Sequence, residues 1–171
     1  MSKYQELQEL VASYGEATIL LINESRRFGQ AIIDGFPDYL GCEKHRVKGV
    51  PPQGEVNVNA RYQDDIFSFY HKNPNFLEPV TMGFYVEVAN KIGRGATWVI
   101  FGVEFWLSGQ DVIITVAGKD QRAIALPRVE SPDLTRVFEV LFDEVRSEFS
   151  VDLDASRERP RIGFTGREKL D

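Results

Sequence analysis

The sequence is poor in the residues that form disulfides and most metal sites. It contains one cysteine, Cys42, and two histidines, His45 and His71, among its 171 residues. A single cysteine cannot form an intramolecular disulfide, which excludes a disulfide-stapled secreted scaffold. Cys42 and His45 have the spacing of half a zinc site, but a structural zinc ion takes four ligands and there is no second cysteine. We therefore predict neither a metal centre nor a cofactor.

Long apolar runs and an export signal are missing as well. The longest apolar stretches, 17–22 and 98–103, are far shorter than the roughly 20 residues that cross a bilayer. The chain begins with Lys3, Glu6 and Glu9 among apolar residues, unlike the basic start and continuous apolar run of a signal peptide. Together with the lone cysteine, these absences predict a cytoplasmic protein with no membrane association.

An excess of positive charge is also absent. Lys and Arg number 20 against 26 Asp and Glu, which gives a net charge of −6. Nucleic-acid binders and proteins that bind anionic membranes carry the opposite balance. Basic residues do cluster at 44–48. The arginine-rich segment 151–171 has no net charge, because its five basic residues are matched by five acids. Nucleic acid is therefore a less favoured partner than a protein or a small molecule.

What the sequence does contain is the composition of an ordinary globular protein, with 43% hydrophobic and 27% charged residues. This length and composition predict one domain over 1–150. The segment 151–171 has few apolar residues beyond Ile162 and Phe164, and we predict that it is a C-terminal tail.

Helical periodicity marks both ends of the predicted domain. From Tyr4 to Gly35, apolar or small residues recur at alternating spacings of three and four, which predicts an N-terminal helical segment. Gly15 lies between its two halves and costs a helix about 1 kcal/mol relative to Ala, so we expect a break or kink there. A C-terminal amphipathic helix is predicted after Ser131, which is assigned as the N-cap before Pro132.

Alternating apolar residues between these helices predict an antiparallel sheet. The links between its later strands are too short for parallel crossovers. The segment 38–55 is predicted to be a loop, and most of 64–79 is left unassigned. The fold class is therefore α+β, with an antiparallel β-meander of about five strands packed by the two helical segments. The predicted strands are 56–62, 80–91, 97–107, 111–117 and 122–127.

The faces of the strands follow from the hairpin register. Two-residue loops at Arg94-Gly95 and Gly109-Gln110 place most large apolar residues on one face, the predicted core, and assign Ile124 to the other. In this register Glu87 and Glu104 form a diagonal pair at a Cβ separation of roughly 7–8 Å. The second face thus gathers the candidate site residues Tyr85, Glu87, Trp98, Glu104 and Trp106.

The residues on this second face support two hypotheses for the function. The leading hypothesis is a non-catalytic binding protein, homodimeric, that uses the aromatic sheet face and the long first helix to contact a protein partner or a second copy. The alternative is a small-molecule enzyme or ligand receptor built on Glu87 and Glu104, since paired carboxylates hydrolyse glycosides and the tryptophans could stack on a ligand. Carboxylates on a sheet are more often solvated or paired with Arg, so no catalytic residue is assigned.

Overall fold

The fold is described by a computed structural model over residues 2–71, 77–91, 95–117, 122–150 and 162–165. It confirms the α+β class. Both helices pack on the same face of one antiparallel sheet, and the apolar core lies between them and that face. The elements are α1 (Lys3–Leu40), β1 (Val47–Val50), β2 (Val80–Ala89), β3 (Ala96–Ser108), β4 (Asp111–Val116), β5 (Arg122–Pro127), α2 (Thr135–Phe149) and β6 (Ile162–Thr165).

α1 is one uninterrupted helix of 38 residues, so the predicted break at Gly15 is wrong. One glycine costs about 1 kcal/mol, which is too little to end a helix that is already nucleated on both sides. Ser2 and Gln5 form a capping box at the start, with Gln5 N–H donating to Ser2 Oγ at 3.1 Å and Ser2 N–H donating to Gln5 Oε1 at 2.7 Å. Gly41 ends the helix at φ 67°, a left-handed conformation that favours glycine.

The strands pair in the order β1-β2-β3-β4-β5, and β6 pairs with the part of β3 that β4 leaves uncovered. The hairpin between β3 and β4 has the predicted two-residue loop, because Ser108 pairs with Asp111. Gly109 makes this tight turn at φ 58°, which its missing side chain permits. The predicted antiparallel meander is thus confirmed, with β1 at 47–50 in place of the predicted strand 56–62 and β6 at 162–165 as an additional strand.

The hairpin between β2 and β3 differs from the prediction. A two-residue loop would pair Gly93 with Ala96, but Ala89 pairs with Ala96 instead. The register is therefore shifted by four residues, and Arg94 of the predicted loop lies outside the described residues. Because four is even, the shift moves side chains along the strand without exchanging its two faces.

The first strand lies earlier in the chain than predicted. β1 falls inside the segment 38–55 predicted as a loop, whereas 56–62 forms turns. Asn57 explains the difference: its Oδ1 accepts a hydrogen bond from Asn59 N–H, and its carbonyl accepts one from Ala60 N–H, both at 3.0 Å. An Asn side chain that bonds the backbone two residues on favours a turn over a strand.

The predicted core face is buried. Met82, Phe84 and Phe105 are 0% exposed and pack into one cluster with the apolar sides of both helices. The predicted assignment of Ile124 to the opposite face is wrong. Ile124 pairs with Ile114 and is 4% exposed, so it belongs to the core.

α2 begins four residues later than the predicted cap. Leu134 occupies the N-cap position, and the hydrogen bonds at this end go to Asp133 rather than to Ser131. Asp133 Oδ1 accepts from Thr135 Oγ1 at 2.7 Å and from Thr135 N–H at 3.0 Å. These bonds stabilise the carboxylate and lower the pKa of Asp133 below its ordinary value.

Candidate functional site

The outer face, defined as the side of the sheet turned away from both helices, carries all five predicted site residues. In the observed pairing Glu87 lies opposite Trp98 and Thr81 lies opposite Glu104. Side chains alternate along a strand, so residues directly opposite each other share a face. The residues that share this face are Tyr85, Glu87, Trp98, Glu104 and Trp106.

The two carboxylates do not form the predicted pair. Glu104 pairs with Thr81, which lies six residues before Glu87 on β2. At about 3.4 Å per residue, this places the two acids on the order of 20 Å apart. The prediction of a diagonal pair is wrong, because it assumed a hairpin loop shorter than the real one. Glu87 and Glu104 therefore belong to opposite ends of the outer face.

At one end of the outer face, Arg46 and Lys48 join Tyr85, Glu87 and Trp98 in what we call the outer-face cluster. Arg46 Nη1 lies 2.7 Å from Glu87 Oε1, and the Tyr85 hydroxyl donates to Glu87 Oε2 at 3.0 Å. The Tyr85 ring stacks on Trp98 at a centroid distance of 6.2 Å. Lys48 Nζ lies 5.1 Å from the centre of the Tyr85 ring, within the range of a cation–π contact.

The outer-face cluster is a closed network. Tyr85 is 0% exposed, and its burial, with the hydrogen bond to Glu87 as a smaller cause, raises its pKa above the ordinary value. Both oxygens of Glu87 are already engaged. Among the described residues, no buried side-chain nitrogen or oxygen lacks a partner. The cluster thus holds neither a free carboxylate for acid–base chemistry nor an exposed aromatic platform at Tyr85.

Sequence reasoning missed Arg46 and Lys48 because it assigned them to a loop. The signal that could have found them is the alternation of Arg46, Val47 and Lys48, because an extended segment sets the two basic residues on one face and the valine on the other. Glu104, at the other end of the outer face, is exposed, and Trp106 beside it is half-buried opposite Ile113.

A cleft of about 870 Å³ lies beside β1, the edge strand, between α1 and the segment 58–67. Lys48 Nζ donates to the Val58 carbonyl at 2.6 Å and ties the segment to β1. Arg26 forms a bidentate pair with Asp64, at 3.0 Å from Nε and 2.6 Å from Nη2, and ties the segment to α1. Sequence reasoning gave no indication of this cleft, because turns at 56–62 create it.

The first half of α1 projects from the fold. Every residue from 3 to 14 is exposed, and the first buried residue of the helix is Thr18. Tyr14 marks the base of the projection, where its hydroxyl accepts a hydrogen bond from Leu77 N–H at 2.5 Å. We call the exposed apolar side chains of this half the helix stripe: Tyr4, Leu7, Leu10, Val11 and Tyr14.

The half zinc site considered for Cys42 and His45 finds little support in the structure. Cys42 is half-buried, and burial raises the pKa of its thiol, which disfavours the reactive thiolate. The side chain of His45 is 67% exposed, and its Nε2 lies 3.6 Å from Glu43. No group of three or more potential metal-ligating side chains occurs within the described parts of the chain.

Comparisons with known proteins assign no relatives. No protein-family model matches the chain, and neither the curated proteins nor the solved structures searched contain a match. Among the described helices, none has the length and apolar content needed to cross a membrane. What this protein does therefore has to be inferred from its own surfaces.

Proposed function

We propose that this protein is a non-catalytic binding protein that assembles as a homodimer through the projecting half of α1. One observation carries the proposal: the helix stripe continues the buried face of the same helix into solvent. Thr18, Leu21 and Ser25 are buried, and at 100° per residue Tyr4, Leu7, Val11 and Tyr14 point the same way. A face with core composition that no element of the described residues covers is a contact surface.

The charges of α1 favour a second copy as the occupant. Glu6, Glu9 and Glu16 are the acids of the projecting half, and helical geometry turns them about 120–180° away from the centre of the stripe. Beside Tyr4, Leu7, Val11 and Tyr14 lie Lys3, Gln8, Leu10 and Gly15, and the one charged residue among these four, Lys3, pairs with Glu6 of its own helix. Two copies can therefore face each other without like charges at the contact, although the chain as a whole is acidic.

Without Leu10, which lies to one side, the residues of the helix stripe have the same spacing in both directions. Tyr4, Leu7, Val11 and Tyr14 are separated by three, four and three residues. An antiparallel pair centred on Glu9 thus sets Tyr4 against Tyr14 of the second copy and Leu7 against Val11 of the second copy. The overlap ends near residue 16, just before the helix docks on its own sheet, so the two folded bodies lie at opposite ends. This is a self-complementary two-fold contact.

The size of the contact suits a reversible dimer. The five side chains of the stripe are 44–72% exposed. Covering ten such side chains in a pair yields on the order of 10–15 kcal/mol, while association costs about 4–15 kcal/mol. The gain is comparable to the cost, so we expect a reversible dimer whose population rises with protein concentration.

Sedimentation equilibrium at micromolar concentrations tests the proposal with Leu7→Glu and a matched control, Ala12→Glu. Both add one negative charge to an exposed position of the same helix, but Ala12 lies about 120° from the stripe. Wild type and Ala12→Glu are expected to dimerise, and Leu7→Glu to remain monomeric with unchanged helix content by circular dichroism. A monomeric wild type, or a Leu7→Glu variant that dimerises normally, refutes the proposal.

The outer face is the competing contact surface. Trp98, Ile100, Trp106 and Ile113 are half-buried rather than exposed, so it offers less apolar area than the helix stripe. Trp106→Glu separates the two surfaces, because loss of the dimer in Trp106→Glu alone would assign the interface to the outer face. The enzyme alternative built on Glu87 and Glu104 loses its geometric basis, since the register separates the acids.

A further inference from the structure

We infer that the cleft beside β1 binds a small organic anion, a carboxylate, sulfonate or phosphate ester attached to an apolar body. This is a different surface from the helix stripe and does not depend on self-association. The volume of about 870 Å³ lies within the range of about 300–1,000 Å³ that is common for small-molecule sites.

The charge of the cleft is opposite to that of the protein. Among the described residues, Arg26, Lys48 and Arg61 line it with a single acid, Asp64. These walls carry a net charge of +2, whereas the chain carries −6. Arg26 neutralises Asp64 through the bidentate pair. Lys48 and Arg61 supply the remaining excess, and a basic concavity on an acidic protein concentrates anions.

Arg61 is the residue that we assign to the anion. Lys48 already bonds the Val58 carbonyl, whereas Arg61 makes no hydrogen bond or ion pair with any residue in the described ranges. Its guanidinium offers five donors in a planar fork, which suits the oxygens of a carboxylate, sulfonate or phosphate.

The segment that carries Arg61 is already held open by its own contacts. Tyr62 Oη accepts from Asn57 N–H at 3.0 Å, and Asp65 Oδ1 accepts from Gln63 N–H at 2.6 Å. With the two ties to β1 and α1, these bonds fix both ends of the turn around Arg61. A site whose walls are ordered before binding avoids the entropy cost of ordering them afterwards.

The floor of the cleft supplies the apolar part of the site. Ile33 from α1 and Ile66 meet there over Gly49, and a Cβ at Gly49 would lie 2.6 Å from Ile66 Cδ1 and 3.0 Å from Ile33 Cδ1. The absent side chain lets these two residues pack against the backbone of β1. The apolar body of the ligand would thus contact Ile33 and Ile66, and its charged group would contact Arg61 at the mouth of the cleft.

The test compares two probes that share one ring system: 8-anilinonaphthalene-1-sulfonate, which is anionic, and N-phenyl-1-naphthylamine, which is neutral. The sulfonate is expected to bind saturably with one site per chain by fluorescence titration, and the neutral probe more weakly. Arg61→Gln is expected to weaken sulfonate binding about tenfold, the loss expected for one charge-assisted contact. Ala60→Phe, which fills the cleft without changing charge, is expected to weaken both probes.

Arg136→Gln is the matched control, because Arg136 is an exposed residue of α2 and the substitution removes the same charge. It should bind the sulfonate as wild type does, and so should Leu7→Glu, which places a negative charge in the helix stripe. Equal loss in Arg136→Gln, full binding by Arg61→Gln, or loss of binding in Leu7→Glu each overturns the inference. Leu7→Glu is also the variant that tests dimerisation by sedimentation. The probe titration therefore tests the cleft, and sedimentation tests the proposed function, independently of each other.

Discussion

The hydroxyl of Tyr85 donates a 3.0 Å hydrogen bond to Glu87, two residues further along the same strand. Arg46, from the short turn before β1, binds the other carboxylate oxygen at 2.7 Å. The network therefore links the edge of the sheet to its interior on the outer face, which neither α1 nor α2 covers. We therefore expect this network to stabilise the fold, and its contribution to the free energy of unfolding can be measured.

Arg46→Met should destabilise the fold by about 1–3 kcal/mol, because it leaves a half-buried carboxylate without its cation. The side chains of Arg46 and Glu87 are only 23% and 22% exposed. Lys44→Met, which removes an exposed positive charge two residues away, should change the free energy of unfolding by no more than about 0.5 kcal/mol. Urea denaturation measures both values. Equal effects would mean that the pair adds nothing beyond net charge.

Tyr85 should ionise only at strongly alkaline pH. Burial raises its pKa in the folded state, whereas the unfolded chain has the ordinary phenol pKa of about 10. Its contribution to stability is therefore complete below that pH and is lost as pH rises through the interval up to the folded pKa. Ultraviolet titration should show a late tyrosinate component that Tyr85→Phe removes. Tyr39→Phe, a substitution on α1, should retain it, and a late component that survives Tyr85→Phe would contradict the assignment.

Two glycines that pair across β2 and β3 should respond differently to alanine. A Cβ at Gly83 would lie 2.2 Å from the Val50 carbonyl oxygen, which is backbone. At Gly102 the nearest atom would be Thr81 Cγ2 at 3.3 Å. We expect Gly83→Ala to cost at least about 2 kcal/mol by overpacking, and Gly102→Ala to cost less than about 1 kcal/mol. Thermal and urea unfolding would show the difference, and similar costs would mean that the chain after β1 does not cross over Gly83 as described.

The orientation of the proposed helix pair can be read by cross-linking in a Cys42→Ser background. An antiparallel pair places Leu7 beside Val11 of the second copy, so a mixture of Leu7→Cys and Val11→Cys proteins should oxidise mainly to the mixed disulfide. A parallel pair would instead favour disulfides between identical variants. Mass spectrometry of the oxidised mixture distinguishes the outcomes, and a predominance of identical pairs would refute the antiparallel arrangement.

The faces of the strands were predictable from the sequence, whereas their exact alignment was not. Apolar residues alternate with a period of two, so the pattern rejects a slip of one residue but accepts a slip of four. Phe84 and Phe101 were therefore assigned correctly to the core, while Glu87 and Glu104 were placed too close together. Alignment depends on the length of the link after Ala89, and hydrophobic patterning carries no information on that length.

Two further errors have local causes. Gly15 was expected to break α1, but its cost is small beside the cooperativity of a long helix. The segment 56–62 alternates like a strand, yet the side chain of Asn57 bonds the backbone and forms a turn.

The cleft arises from that turn and from contacts between residues far apart in sequence, such as Arg26 with Asp64. Such a site could not be located before the fold was known.

β6 lies beside residues 96–99 of β3, while β4 covers 103–108 of the same edge. Two strands that are distant from each other in the chain, β4 and β6, thus pair with successive parts of one edge of β3, the longest strand of the sheet. An uncovered length of this central strand would present free amide and carbonyl groups to neighbouring molecules, the situation that leads to uncontrolled strand addition. β6, the last strand of the described residues, consequently covers residues 96–99 on this edge of β3 and disfavours the addition of a foreign strand there.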